Sequence, residues 1–201
     1  MSRGLGDVYK RQGKIVNMDD LGMDNLKPQL EKMLSGYQGT WSVYVKDLNE
    51  EKEILINDTS LYSASLIKAF VMAKTYEDME QVKADEAKKL NTADTKTVDV
   101  KLNDLLWNMI TVSDNDSANE LVRKLGGGDF QTGAAIVNEF CQERNYTSTH
   151  LGREFLASDP TDDNYTSASD CCRLLSDIYN SSLVNAEASA EMLALLTSQT
   201  K

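Results

Sequence analysis

The stretch LYSASLIKAF, residues 61–70, places two serines and one lysine in an apolar segment that is predicted to begin a helix. Ser65 and Lys68 are three residues apart, a spacing that puts both side chains on one helix face. Unpaired backbone N–H groups at a helix start can stabilise negative charge on a carbonyl under attack. A lysine buried among Leu66, Ile67 and Phe70 would lose solvation, so its pKa would fall and it could serve as a base toward a serine hydroxyl. The alternative interpretation is a helix cap beside a solvated lysine.

A second polar cluster, TVSDNDSANEL at residues 111–121, lies between two segments with helical periodicity. Ser113 and Asn115 fall in the predicted interhelical loop, and Ser117 is placed to cap the next helix. A capped polar linker is one interpretation. In the other, the hydroxyl of Ser113 relays a proton to a leaving group and the amide of Asn115 holds a substrate carbonyl. An S-x-x-K pair at a helix start, followed by S-D-N in a later loop, favours the chemical interpretation.

The composition restricts the class of protein. The chain has 201 residues, of which 41% are hydrophobic, and this suits one domain or two lobes that share a core. Its net charge of −11 argues against nucleic acid and anionic membrane surfaces as partners, because both bind patches rich in lysine and arginine. We find no apolar run long enough to be predicted as a membrane span.

Candidate metal ligands are few and poorly spaced. Cys141, Cys171 and Cys172 show no C-x-x-C spacing, and His150 is the only histidine of the sequence. A structural zinc site needs about four such ligands, so we expect no metal and no cofactor. We expect the cysteines to pack without a disulfide framework, and His150 to lie at the surface or at a helix start.

Hydrophobic periodicity predicts one hairpin followed by helices. Residues 40–48 alternate, with Trp41, Val43 and Val45 on one face, and residues 52–57 form a second apolar strand. Helical spacing is predicted at residues 23–37, 65–83, 100–113, 117–128, 132–145, 167–180 and 185–198. The charged stretch that begins at residue 83 is expected at the surface. A two-stranded sheet is marginal alone, so we expect further strands or a covering helix.

The amino-terminal stretch MSRGLGDVYKRQGK, residues 1–14, is basic in an otherwise acidic chain. Asp19 and Asp20 interrupt the apolar run that a secretory signal would need after its charges. We therefore expect residues 1–14 to be a disordered tail or a sequence scar, and residues 15–201 to form the domain.

Three longer stretches share their order and spacing with a known family. SASLIKAFVMAKTYE (63–77) is similar to the family's nucleophile helix, ITVSDNDSANELVRKLGG (110–127) to its second-motif region, and residues 163–200 to the helices before its final strands. S-x-x-K, S-D-N and K-T-G are the motifs of class A β-lactamases and penicillin-binding proteins. Over residues 23–201 the chain resembles the class A β-lactamase-like serine hydrolases.

The resemblance implies a role for each polar residue. Ser65 would be the acylated nucleophile, Lys68 its base or base partner, and Ser113 a proton shuttle, while Asn115 would contact the substrate. The implied fold is α/β (α+β), a helical lobe beside an antiparallel sheet flanked by helices. The implied function is β-lactam hydrolysis through an acyl-enzyme, giving antibiotic resistance, by a monomer that acts on a small molecule outside the cytoplasm.

The chain departs from the family pattern in two places. No K-[ST]-G follows the last predicted helix, so we expect the last sheet strands to be missing. The family's R-x-E-x-x-L-N loop corresponds to residues 151–167, where Arg153 is present but Glu154 comes one residue too early and no Leu-Asn follows. Since that glutamate drives deacylation through a water, two alternatives stay open. One is a penicillin-binding or D-alanyl-D-alanine peptidase-like acylase with slow deacylation, and the other is a non-catalytic relative.

Overall fold

A computed structural model describes residues 22–50, 52–157 and 162–200. The predicted tail, residues 1–14, lies outside the described residues. The described residues fall into two compact units, the first ending at Asn57 and the second beginning at Asp58.

The first unit consists of a helix and the predicted hairpin. Helix α1 spans Met23–Leu34, strand β1 spans Val43–Lys46 and strand β2 spans Glu53–Ile56. The strands pair antiparallel, with Val43 opposite Ile56. Asp47 fixes the turn, because its carboxylate accepts the backbone N–H groups of Asn49 and Glu50, and these hydrogen bonds lower the pKa of Asp47. The alternating stretch forms strand β1 as predicted, and all four residues of this strand are half-buried.

The second unit is mostly helical. Its helices are α2 (Lys68–Glu77), α3 (Met79–Leu90), α4 (Thr95–Thr111), α5 (Asn115–Leu125), α6 (Phe130–Glu143), α7 (Ala168–Tyr179) and α8 (Ala186–Thr197). Short strands β3 (Leu61–Tyr62) and β4 (Tyr165–Thr166) accompany them, and a 3-10 turn at Ala64–Ile67 leads into α2. Among the described residues, no helix combines the length and apolar character needed to cross a bilayer.

Side-chain caps start most of these helices. Asp94, Asp129, Ser167 and Asn185 each accept a backbone N–H from the first turn of the helix that follows them. Helix α5 is capped in the same way by Asp114, whose carboxylate accepts the N–H of Ser117 at 2.7 Å. The prediction that Ser117 is the cap is therefore wrong. A carboxylate at this end also complements the helix dipole.

The segment predicted as one helix from residue 65 to 83 is divided. A 3-10 turn precedes α2. The helix is interrupted at Asp78, which ends α2 and precedes α3, and α3 extends to Leu90. Leu66, predicted to be buried, has 61% of its surface exposed, because the tighter turn rotates it off the buried face. The charged stretch after residue 83 is largely helical, and its Glu86 is buried beneath lysine side chains.

Strands β3 and β4 were not predicted, since two residues are too few to show periodicity. They pair antiparallel, with Leu61 opposite Thr166. Tyr165 of β4 also forms an antiparallel β-bridge with His150, and the backbones of these two residues exchange hydrogen bonds. His150 therefore lies beside a strand and not at a helix start, and its ring contacts Asp162 at 2.5 Å. This pairing holds the chain just before Ser65 against a distant segment.

The core of the second unit surrounds α2. Phe70, Val71 and Met72 of this helix are fully buried, and α2 packs against α4, α5, α6 and α8. Among the described residues, which include all three cysteines, no disulfide is present. Cys141 is buried in the core, and this burial raises the pKa of its thiol to about 12. Cys171 and Cys172, the pair predicted to be packing residues, are partly buried.

Candidate active site

Ser65 lies in the 3-10 turn ahead of α2, and its side chain is exposed. The turn is anchored on its amino-terminal side, where the backbone N–H of Ser63 donates to the carbonyl of Asn164 at 2.8 Å. Ala64 has a φ of 46°, in the left-handed region that non-glycine residues rarely adopt. Such strain persists only where the surroundings fix it, and it is frequent at functional sites.

Lys68 is the first residue of α2 and is only 2% exposed. Its Nζ donates to the backbone carbonyl of Ser113 at 2.7 Å, to the hydroxyl of Ser113 at 3.2 Å and to Oδ1 of Asn115 at 2.7 Å. These three acceptors are uncharged oxygen atoms of the 113–115 loop. The prediction of a poorly solvated amine after Ser65 agrees with this geometry.

Ser113 connects the amine to the exposed serine. It lies between α4 and α5 with a φ of 60°, and this left-handed conformation lets both its carbonyl and its hydroxyl face Lys68. The Ser113 hydroxyl in turn donates to Oγ of Ser65 at 2.9 Å. Hydroxyl groups both donate and accept, so Ser65, Ser113 and Lys68 form a chain along which a proton can pass in either direction.

The structure thus brings together Ser65, Lys68, Ser113 and Asn115, the residues that the sequence singled out. The S-x-x-K pair and the S-D-N loop meet because α2 packs against both α4 and α5, which flank that loop. Ser65 and Lys68 are joined through the hydroxyl of Ser113, a link that the helical spacing of residues 65 and 68 did not predict.

Sequence reasoning missed Phe155. The centre of its ring lies 4.9 Å from Nζ of Lys68, within the range of a cation–π contact. Its backbone is held by Asn119 of α5, whose Oδ1 accepts the Phe155 N–H at 2.9 Å and whose Nδ2 donates to its carbonyl at 3.3 Å. The sequence offered one signal for this residue: it is an aromatic residue directly after Glu154, in the loop that corresponds to the family's R-x-E-x-x-L-N segment.

The carboxylate of Glu154 has a different partner. It accepts a hydrogen bond from Arg123 of α5 at 2.6 Å. Arg153 donates to Asp163 at 2.8 Å and also reaches the hydroxyl of Tyr62 on β3. Residues 158–161 of the acidic stretch that follows lie outside the described part of the chain.

Comparison with known proteins decides the family. The model of the beta-lactamase enzyme family matches residues 25–201. The chain belongs to this family. The predicted resemblance to class A β-lactamase-like proteins is therefore confirmed.

Solved β-lactamases share the fold of this family member. The β-lactamase from Sphaerobacter thermophilus superposes with a TM-score of 0.68 at 18% identity, covering 90% of this chain and 72% of that one. An ancestral class A β-lactamase gives 0.68 at 20% identity, covering 88% and 72%, and the enzyme from Streptomyces albus G gives 0.67 at 18%, covering 87% and 71%. The comparison with curated proteins found no match. At these identities the structural likeness shows the fold, and it confirms the predicted α/β class.

Proposed function

We propose that this β-lactamase family member is a serine hydrolase that forms an acyl-enzyme at Ser65 with β-lactams. The observation that carries the proposal is the hydrogen-bonded chain from Ser65 Oγ through Ser113 Oγ to Lys68 Nζ. It gives an exposed hydroxyl a path to a buried amine. A nucleophile activated by an adjacent base is the usual arrangement for covalent catalysis.

In the proposed acylation, Ser65 Oγ attacks the lactam carbonyl carbon and forms a C–O bond. The Ser65 proton passes to Ser113 while the Ser113 proton passes to the neutral amine of Lys68. The carbonyl C–N bond then breaks, and the proton returns along Ser113 to the departing nitrogen, so the products are a serine ester and a secondary amine. Asn115 binds Lys68 through Oδ1, and we assign its Nδ2 group to a carbonyl of the substrate.

Full β-lactamase activity requires a second step, in which water cleaves the serine ester and Ser65 regains its proton. We propose β-lactam hydrolysis as the overall reaction, with antibiotic resistance as its physiological outcome outside the cytoplasm. The second candidate is a penicillin-binding acylase that releases the acyl group slowly. The Glu154–Arg123 ion pair at 2.6 Å favours this candidate, because it directs the carboxylate of that loop toward α5.

The proposal is tested by incubating the chain with a fluorescent penicillin and measuring intact mass. We expect a stoichiometric adduct that maps to Ser65 and is lost in Ser65→Ala, which removes one exposed oxygen and should leave the unfolding midpoint unchanged. An unlabelled wild-type chain with a cooperative unfolding transition would overturn the proposal and favour a non-catalytic relative. Nitrocefin turnover then separates hydrolysis from slow release.

A further inference from the structure

We propose that Phe155 is a positioning residue for Lys68, an inference that rests on the serine hydrolase function proposed above. The Lys68 amine faces oxygen acceptors from the 113–115 loop, and the ring of Phe155 lies 4.9 Å from the same nitrogen. The ring offers a negative face to a cation but no proton acceptor. It can therefore stabilise the charged amine without competing for the Ser65 proton.

Phe155 is fixed in place by the helix that also carries an acceptor of Lys68. Asn115, Asn119 and Arg123 follow one another at four-residue intervals, so they share one face of α5. Asn115 binds the lysine, Asn119 holds both backbone polar groups of Phe155, and Arg123 holds the side chain of Glu154. Asn119 is buried, with only 6% of its surface exposed, so its amide has no alternative in bulk water. Helix α5 therefore fixes the position of the ring relative to the Lys68 amine.

The consequence concerns acylation. When Lys68 accepts the Ser65 proton, a positive charge appears in a site that is almost closed to solvent. The polar acceptors orient the N–H groups of the amine, and the ring, whose centre lies 4.9 Å from Nζ, stabilises the new charge. Phe155 therefore acts on the rate of acylation by way of Lys68.

A purely structural role for Phe155 makes a different prediction. The residue is partly buried and packs against the core, so any apolar side chain of similar volume would satisfy that role. Replacement by leucine keeps apolar volume and removes the ring, whereas replacement by tyrosine keeps the ring. The two roles therefore separate in the behaviour of these variants.

The experiment measures the single-turnover rate constant for labelling Ser65 at saturating fluorescent penicillin. It also measures the penicillin concentration that gives half of this rate, and the unfolding midpoint of each variant. We expect Phe155→Leu to label about 5- to 30-fold more slowly, the size of a desolvated cation–π contact, with half-saturation little changed. Phe155→Tyr should label within about twofold of wild type. Phe140→Leu is the matched control, because that ring also lies 4.9 Å from a cation, Arg144, but belongs to the core.

The control should lower the unfolding midpoint and leave the labelling rate of folded protein unchanged. Equal rates for wild type and Phe155→Leu would overturn the inference, as would a tyrosine variant as slow as the leucine variant, or a control that slows labelling as much. Phe155→Met takes the place of the leucine variant if that variant does not fold. Absence of labelling in wild type would instead refute the proposed function, so the two failures are distinguishable.

Discussion

Two lysines of the described helical unit, Lys68 and Lys124, have side chains almost closed to solvent, and they lie in different settings. Lys68 contacts a carbonyl, a hydroxyl and an amide oxygen, which are all neutral. Lys124 of α5 contacts the buried carboxylate of Glu86, which also pairs with Lys101 at 2.5 Å. Both amines are almost inaccessible to solvent. Burial alone therefore does not distinguish a lysine suited to proton transfer from a structural one.

The two lysine sites differ in that the carboxylate of Glu86 is buried beside Lys124. Burial by itself would raise the pKa of Glu86, but hydrogen bonds and charges from Lys101 and Lys124 lower it below its ordinary value. Glu86 therefore stays charged and holds α3, α4 and α5 together through its lysine partners. Around Lys68, the hydroxyl of Ser113 lies between the amine and Ser65, so a proton can pass between Ser65 and Lys68. We expect substitutions at the two sites to affect different observables.

The largest expected effect is on chemistry at Lys68. Lys68→Met should slow labelling of Ser65 by about 10²- to 10⁴-fold, because the hydrogen-bonded chain would lose its base. Stopped-flow labelling with fluorescent penicillin measures this rate. Lys74→Met, which removes another lysine of α2 that pairs with Glu77 and Asp78, is the control and should label normally when folded. Normal labelling by Lys68→Met would contradict the assignment of Lys68 as base.

At the other lysine, the expected effect is on stability. Lys124→Met leaves Glu86 buried with Lys101 as its remaining ion pair in this cluster, and should lower the free energy of unfolding by about 3 kcal/mol. Urea unfolding measures the change, and labelling per folded molecule should be unaffected. Adding Glu86→Leu to Lys124→Met should restore much of the stability, since the uncompensated charge is removed. Loss of labelling in the folded variant would undo the contrast between the two sites.

A somewhat smaller effect is expected at the hydroxyl that links Ser65 to Lys68. Ser113→Ala and Ser113→Gly both remove it and should slow labelling by about 10²-fold, while the backbone carbonyl still binds the amine. Glycine adopts the observed φ of 60° without strain, so it serves as a control for backbone effects. Should the alanine variant alone be slow, the backbone and not the hydroxyl would be responsible.

The smallest expected effect is on the pH dependence of stability. The pKa of Glu86 is lower in the folded chain than its unfolded value of about 4.3, so its stabilising contribution is complete above that pH. This contribution is lost as the pH falls through the lower, folded value. Thermal unfolding from pH 6 to 3 should show a shallower acid decline for Glu86→Gln than for wild type. Glu77, whose pKa is also lowered, keeps part of the decline in both. Parallel curves would show that Glu86 does not contribute.

Local patterns predicted most of the elements. The hairpin at residues 43–56 and the helices that contain Leu106, Leu121 and Leu174 follow from alternation and helical spacing. The errors arose where a local rule was overridden. The 3-10 turn before Lys68 cannot be told from an α-helix by periodicity, and Glu86 is buried because neighbouring helices supply lysines.

By itself, the sequence determined the order of the elements and the chemical groups available, including the nucleophile candidate at Ser65 and the polar loop at 113–115. Only the tertiary structure decided that this loop faces Lys68 with its carbonyl and hydroxyl, and that the ring of Phe155 covers the same amine. The physical reason is that sequence patterns report local structure, over a few neighbouring residues. Side-chain periodicity reports which face of an element is apolar, whereas these contacts join distant residues and depend on helix packing and on one left-handed backbone residue.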